Sequence, residues 1–223
     1  MPAAVRSRHG TGRPATAAPQ ADAATRPITC LVAGPGYGKT TLLADWAERT
    51  GAAWYILDAH DGDPGLLVAG LLAAVAECVP ADGAPPAPLG PQAGSASAVD
   101  AMAAGLAETV DRVLATDLAL ILDDCAELPA GAPGAALLAA LCRQTPPRLH
   151  LVLAGRREPA VELTGSRGTG RVADLAADQL GFTAAETASL LVAVLGPDGA
   201  AVAASAHRLT GAGRRRSGSS PRR

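Results

Sequence analysis

Aromatic side chains are scarce in this chain, which has 223 residues and only 2% Phe, Trp and Tyr. The hydrophobic fraction is nevertheless 48%, which is ample for one domain of ordinary size. A core with so few large anchors must be built from Ala, Leu and Val. The composition therefore indicates one globular domain with an aliphatic core.

Signals for membrane targeting and for metal binding by cysteine are also missing. Residues 1–25 contain no apolar run of the kind that a signal peptide or a membrane span needs. The four cysteines show no paired metal-ligand spacing, and Cys30 and Cys125 lie in or beside predicted core strands. These features predict a cytoplasmic protein with reduced thiols and no membrane partner.

Charge is distributed unevenly along the chain, although the formal net charge is only −2. Residues 1–27 carry a net charge of +3 and residues 211–223 carry +5, so residues 28–210 carry −10. Such an acidic body is poorly suited to binding nucleic acid through its own surface. We expect residues 1–26 to form a disordered N-terminal segment and residues 211–223 a disordered basic tail.

One glycine-rich stretch, residues 33–41 (AGPGYGKTT), stands out from the rest of the sequence. The apolar residues before it predict a buried strand, and the apolar spacing after it predicts a helix. A strand, a glycine loop and a helix form the context of a phosphate-binding loop, which disfavours the alternative of a chance turn before a lysine. The stretch predicts nucleotide phosphate binding by eight residues, namely Gly34, Pro35, Gly36, Tyr37, Gly38, Lys39, Thr40 and Thr41.

The chemistry of this loop follows from the backbone geometry that its glycines allow. Successive N–H groups can point at a polyphosphate, and the helix N-terminus adds positive potential. We expect Lys39 to reach the β- and γ-phosphates and the Thr40 hydroxyl to ligate Mg²⁺. The strict pattern begins with glycine, and here that position is Ala33, which is a mild departure because alanine is small.

A second informative stretch is the apolar run 118–122, which is followed by Asp123 and Asp124. An unbroken apolar run fits a strand buried on both faces of a parallel sheet, and acids at its carboxyl end lie where such sheets bind ligands. We expect Asp123 to hold Mg²⁺ and Asp124 to orient or deprotonate the attacking water. The alternative is that the two acids form a helix cap or a solvated strand end.

A further apolar strand, residues 149–154, is followed closely by Arg156. A guanidinium at this strand end suits a γ-phosphate, because guanidinium groups bind phosphate in a bidentate manner. The alternative is a surface arginine that pairs with Glu158 or Glu162, which the spacing favours almost equally. Residues 171–175 predict a short fifth strand or edge.

Five stretches, in order, resemble the ATPase domain of the large LuxR-family, MalT-like transcriptional regulators. These regulators belong to the STAND class, the signal-transduction ATPases with numerous domains. The stretches are the glycine loop, the second strand with its loop, the Walker B strand, the sensor strand and a Leu-x-Phe-Thr-x-x-Glu segment. In this sequence they are residues 34–46, 53–64, 122–124, 151–156 and 180–186.

The resemblance implies an α/β fold, namely a three-layer P-loop NTPase with a parallel sheet of about five strands and flanking helices. Its sensor strand would lie between the loop strand and the Walker B strand, so that Arg156 would point at the γ-phosphate. The resemblance also implies that residues 27–196 form the ATPase domain and residues 197–210 the start of a helical lid. An arginine-rich tail then replaces the family's Gly-x-Pro lid motif, so we expect the chain to be truncated relative to the family.

The function that the resemblance implies is an ATP-binding, slowly hydrolysing regulatory switch that uses ATP, ADP and Mg²⁺. Self-association or a regulatory protein partner is expected, and DNA binding only through a C-terminal domain that is absent from this chain. Two alternatives remain open. One is a nucleotide-dependent interaction module without useful turnover, and the other is a small-molecule P-loop kinase, which would need an acceptor pocket.

Overall fold

The computed structural model describes residues 26–35, 37–79 and 96–176. Within them, one sheet contains five strands, namely β1 (Ile28–Val32), β2 (Ala53–Ile56), β3 (Leu118–Asp123), β4 (Leu149–Gly155) and β5 (Val172–Ala176). Their order in the sheet is β2-β3-β4-β1-β5, and every pairing is parallel. Strand β4 therefore separates β1 from β3, as the family resemblance implied. The fifth strand is confirmed as an edge strand that pairs with β1.

Helices connect the strands, and local sequence signals account for several of their ends. Two of the helices begin with a proline, which is tolerated there because the first N–H of a helix has no partner inside it. The first helix is followed by Gly51, which caps it with a φ of 67° that suits glycine. The helices are α1 (Lys39–Thr50), α2 (Pro64–Ala76), α3 (Ala96–Val113), α4 (Pro133–Arg143) and α5 (Thr164–Gly168), with short 3₁₀ helices at Ala59–Gly62 and Cys125–Glu127.

The sheet is packed on both faces, which gives the three layers that were predicted. On one face, Leu42 and Leu43 of α1 pack against Leu31, Ile121 and Val152. The opposite face forms the larger cluster, to which α2, α3 and α4 all contribute. The largest fully buried side chains in the described part are all leucine or isoleucine, so the prediction of an aliphatic core is confirmed.

Several expectations concern parts of the chain outside the described residues. They are the disorder of residues 1–25, the Leu-x-Phe-Thr-x-x-Glu segment at residues 180–186, the helical lid at residues 197–210 and the basic tail at residues 211–223. These remain predictions, as does the boundary of the ATPase domain at residue 196.

One titratable side chain lies between α1 and the sheet at the end away from the glycine loop. The Nε2 atom of His150 in β4 is 3.0 Å from Oγ1 of the buried Thr29. The Trp46 ring packs edge-on against the imidazole, with 5.8 Å between the ring centroids. Burial penalises the charged imidazolium and lowers the pKa of His150 below its ordinary value. The fold therefore accommodates His150 in its neutral form.

We expect the protein to lose stability as the pH falls below about 6.5, the ordinary pKa of histidine, because the unfolded chain then takes up a proton that the folded chain resists. The stability contributed by neutral His150 is complete above that pH and is lost progressively below it. For one proton the slope is at most about 1.4 kcal/mol per pH unit. Thermal unfolding between pH 7.5 and 5.5 measures the loss, which should be smaller in His150→Gln.

His60→Gln is the control, because His60 lies in an exposed loop. This variant should retain the pH dependence of the parent protein's stability. Equal slopes in all three proteins would contradict the assignment of the pH dependence to His150.

Candidate functional site

The glycine loop joins β1 to α1 at the carboxyl edge of the sheet. Ala33 continues the strand by donating its N–H to the Gly155 carbonyl at 3.1 Å. Gly38 adopts φ 72° and ψ 18°, a left-handed conformation that favours glycine, and α1 begins at the next residue. No side chain caps this helix and no acid lies in its first turn. The N–H groups of the first turn therefore form a positive site to which an anion can bind.

Lys39, the only lysine in the chain, is the first residue of α1. It is only 8% exposed, and its Nζ donates to Oδ1 of Asp123 at 2.7 Å. The same Nζ lies 4.0 Å from Oδ1 of Asp124. The fold thus brings together the lysine and both acids that the sequence predicted, across 84 residues of chain between Lys39 and Asp123.

Asp123 and Asp124 occupy different environments although they are adjacent. Asp123 is the last residue of β3 and is 6% exposed, and its Oδ1 also accepts the Asp124 backbone N–H at 2.9 Å. Asp124 has φ 54° and ψ 37°, and it is the only non-glycine residue with a positive φ in the described part of the chain. Its side chain is 40% exposed. Asp123 is therefore held in the interior, whereas Asp124 projects toward solvent at the same edge.

The turn after β3 rests directly on the end of β4. A Cβ atom on Gly155 would lie 3.5 Å from the Ala126 nitrogen and 3.1 Å from the Arg157 carbonyl oxygen. Cys125 closes the turn by donating its Sγ–H to the Leu122 carbonyl at 3.2 Å. The ends of β3 and β4 are thus packed together, and Arg156 directly follows β4, the strand next to β3 in the sheet.

Arg156 is exposed and has no ion pair or hydrogen bond within the described part of the chain. The alternative in which Arg156 pairs with Glu158 or Glu162 is wrong, because both glutamates have other partners. Glu158 binds Arg167 instead, and Glu162 accepts the Thr164 backbone N–H at 2.8 Å. The Arg156 guanidinium therefore remains available to a ligand at this edge.

Most of the remaining loop residues that the structure describes are exposed. Thr40 and Thr41 are exposed in the first turn of α1, and Pro35 is exposed in the loop. Tyr37 is 44% exposed, and a Cβ atom on the half-buried Gly34 would contact its ring at 3.8 Å. Gly36 lies outside the described residues.

The donor set at this edge fits Mg²⁺. Magnesium prefers oxygen ligands and is usually held by one or two carboxylates, several waters and the phosphates of a substrate. The Thr40 hydroxyl and the carboxylates of Asp123 and Asp124 supply oxygen atoms at this edge, and Thr40 and Asp123 are the two for which the sequence predicts the metal. No cluster of three or more His, Cys, Asp or Glu side chains suited to a metal occurs among the described residues, so a closed all-protein metal cage is not found there.

Three of the four cysteine thiols are buried structural groups. Cys30, Cys125 and Cys142 are buried and unpaired. Burial raises the pKa of both Cys30 and Cys142 to about 12 and raises that of Cys125 as well. These cysteines behave as small apolar side chains, as predicted for Cys30 and Cys125.

Sequence reasoning missed the polar structure of the loop after β2. The buried Asp61 accepts the Tyr55 hydroxyl proton at 2.7 Å and the Asp58 backbone N–H at 2.8 Å. Asp58 in turn caps the 3₁₀ helix Ala59–Gly62 in a capping-box arrangement. The sequence signal that could have predicted this arrangement is the three-residue spacing of Asp58 and Asp61, which is the spacing of a capping box. These contacts stiffen the connection from β2 to α2.

Comparison with known proteins supports the fold alone. No family model matches the chain, and a search of curated proteins finds no match. Among solved structures the chain is similar to a Signal Transduction ATPase with Numerous Domains (STAND) protein with a tetratricopeptide repeat sensor from Pyrococcus horikoshii. The TM-score is 0.52 at 15% sequence identity, and the match covers 84% of this chain and 26% of that protein. The chain has the fold of a P-loop NTPase and spans about a quarter of the length of this structural neighbour.

No helix in the described residues is long and apolar enough to cross a bilayer.

Proposed function

We propose that this chain binds a magnesium-complexed nucleoside triphosphate, with ATP as the expected ligand, at the carboxyl edge of its sheet. One observation carries the proposal. The uncapped N-terminus of α1 places the buried Lys39 against the two acids that follow β3. Positive helix N–H groups, a buried cation and oxygen ligands for a metal are the three elements that polyphosphate binding requires.

Each residue then has a distinct role at a bound nucleotide. The first-turn N–H groups and Lys39 would bind the β- and γ-phosphates, while Thr40 and Asp123 would hold Mg²⁺. The metal ion, when bound, neutralises charge that develops on the phosphate oxygens. Asp124 orients or deprotonates water near the γ-phosphate, and Arg156 donates to that phosphate from the next strand.

We further propose that hydrolysis is slow, as the resemblance to the STAND regulators implies. Asp124 is partly exposed and Arg156 has no partner among the described residues, so both side chains are accessible to a bound nucleotide. We therefore propose an ATP/ADP-dependent regulatory domain of the STAND type, which acts by binding a partner protein or a second copy of itself.

The likeness to a larger STAND protein and the five resembling stretches support a place within a longer regulator. On this basis we propose the LuxR-type, MalT-like class, in which other domains of the protein would bind DNA. The acidic charge of residues 28–210 is consistent with this division of labour.

Calorimetric titration of the purified chain tests the proposed function directly. We expect Mg·ATP and Mg·ADP to bind with a stoichiometry near one, and phosphate release from ATP to be slow in the absence of any acceptor. Binding of neither nucleotide would overturn the proposal. Phosphate transfer that waits for an added small-molecule acceptor would point to a kinase instead.

A further inference from the structure

Arg167, in α5, is the centre of an ion-pair network that the nucleotide site does not use. Its Nε donates to both carboxylate oxygens of Asp174 in β5, at 3.2 and 3.3 Å, and its Nη2 donates to Asp174 Oδ1 at 2.8 Å. The same Nη2 also donates to Oε1 of Glu158. One guanidinium therefore binds two carboxylates, one on an edge strand and one in the loop that follows β4.

The position of Arg167 is fixed by the backbone on one side and by β5 on the other. Its N–H donates to the Leu163 carbonyl at 2.8 Å, and its carbonyl accepts the Gly170 N–H at 2.9 Å. Asp174 lies opposite Cys30 of β1 in the parallel ladder of the sheet. An exposed ion pair contributes more when it belongs to such a network than when it is isolated. Arg167 therefore holds Glu158 at a defined place beside the sheet.

Glu158 has a second arginine within reach. Arg156 lies two residues before it, and two residues of chain span at most about 7 Å, which the long side chains of arginine and glutamate can bridge. Arg156 is exposed and has no ion pair in the described part of the chain. Removal of Arg167 would free the Glu158 carboxylate, which would then be attracted to this nearby guanidinium.

A pair between Glu158 and Arg156 would oppose binding of a γ-phosphate. Arg156 would have to give up the carboxylate before it could donate to the phosphate, so the free energy of that pair would be lost from ATP binding. ADP has no γ-phosphate, so its affinity would not include this cost. The competition would therefore reduce the preference for ATP over ADP.

We propose that Arg167 is a positioning residue, which holds Glu158 away from Arg156 and so leaves Arg156 free to bind the γ-phosphate. This inference rests on the proposed function and adds a residue that controls the response of the site to the γ-phosphate. Arg167 acts through Glu158 and does not itself contact the nucleotide.

The experiment measures the affinities for Mg·ATP and Mg·ADP by calorimetry in the parent protein, Arg167→Gln, Glu158→Gln and the double variant. Arg167→Gln should lower the ratio of ATP affinity to ADP affinity by about two- to fivefold, which corresponds to the strength of an exposed ion pair. Glu158→Gln should keep the parent ratio, because Arg167 already binds this carboxylate in the parent protein. The double variant should regain the parent ratio.

The double variant separates a positioning role from a structural one. It lacks the same contacts between Arg167 and Asp174 as the single variant does, and it differs from that variant only by the charge of Glu158. Structural damage caused by loss of Arg167 would therefore persist in it. Arg167 and Glu158 are both exposed, so we expect the variants to fold, and thermal unfolding checks this.

Two further variants identify the residue through which Arg167 acts. Arg156→Gln should itself lower the ratio of ATP affinity to ADP affinity, and the addition of Arg167→Gln should then have no further effect. Arg112→Gln is the matched charge control, because Arg112 is exposed near the end of α3 and pairs with Glu108. It should keep the parent ratio.

The outcomes separate this inference from the function on which it rests. If the parent protein binds neither Mg·ATP nor Mg·ADP, the proposed function fails. If it binds both but Arg167→Gln keeps the parent ratio, the freed Glu158 does not compete for Arg156, and the inference is wrong while the nucleotide site stands. A lowered ratio that Glu158→Gln does not restore, or one that persists unchanged in the Arg156→Gln background, would overturn the inference as well.

Discussion

Lys39→Ala is expected to lower the affinity for Mg·ATP at least tenfold, or about 1.4 kcal/mol. The glycine loop has no other cation, and the buried ammonium is placed at the end of α1 where the phosphates would lie. A charged donor in a site shielded from water interacts more strongly with phosphate than it would at an exposed surface. Calorimetric titration of parent and variant with Mg·ATP measures the difference.

Arg49→Ala is the matched control for this variant. Arg49 lies in the last turn of the same helix and is exposed, so its removal takes away one positive charge at the end remote from the loop. Its affinity for Mg·ATP should stay within twofold of the parent value. Because Lys39→Ala also leaves Asp123 without its partner, thermal unfolding should accompany both titrations. Equal affinity in the parent and a folded Lys39→Ala would refute the assignment of the loop.

Asp124→Asn is expected to retain Mg·ATP binding and to abolish hydrolysis. An amide cannot accept the proton of an attacking water, and a positioned general base contributes about 10²–10⁴-fold to a rate. Asparagine has the same shape and also tolerates the left-handed backbone that Asp124 adopts, so the turn should be preserved. Single-turnover phosphate release measures the loss, and calorimetry confirms that binding persists.

Glu127→Gln provides the corresponding control for charge. Glu127 ends the same 3₁₀ turn and is exposed, so this change removes one negative charge near Asp124 without altering the acid pair. Its turnover should match that of the parent protein. If Asp124→Asn hydrolysed ATP at the parent rate, Asp124 would be a strand end with no chemical role, and the alternative of an interaction module without useful turnover would gain support.

Sequence reasoning predicted the parts of the site that depend on local chemistry. The change from β-branched residues to helical spacing around Gly34 and Lys39 located the strand, loop and helix, because each is encoded within a few residues. The strand before Asp123 could be recognised equally well from the sequence, because burial on both faces requires an unbroken apolar run. The order of the strands came from the family resemblance and not from local pattern.

Contacts between distant parts of the chain could not be predicted in the same way. Spacing does not reveal that Lys39 pairs with Asp123 more closely than with Asp124, because strand register and the turn after β3 decide it. The positive φ of Asp124 depends likewise on the packing of that turn against Gly155. Spacing also left open whether Arg156 pairs with nearby glutamates, and the side chain of Arg167 determined the outcome for Glu158.

The position of β1 within the sheet has a consequence for how the protein folds. Among the strands that the structure describes, its neighbours are β4 and β5, and the contact between Thr29 and His150 joins residues 121 positions apart. Non-local pairing of this kind slows folding, because the entropy of closing a long loop is lost before the contacts form. Synthesis adds about 5–20 residues per second, so β4, the first described neighbour of β1 to be made, would follow β1 after an interval on the order of ten seconds. A nascent chain therefore exposes an unpaired apolar strand over that interval, and it cannot complete its ligand site until β4 has emerged.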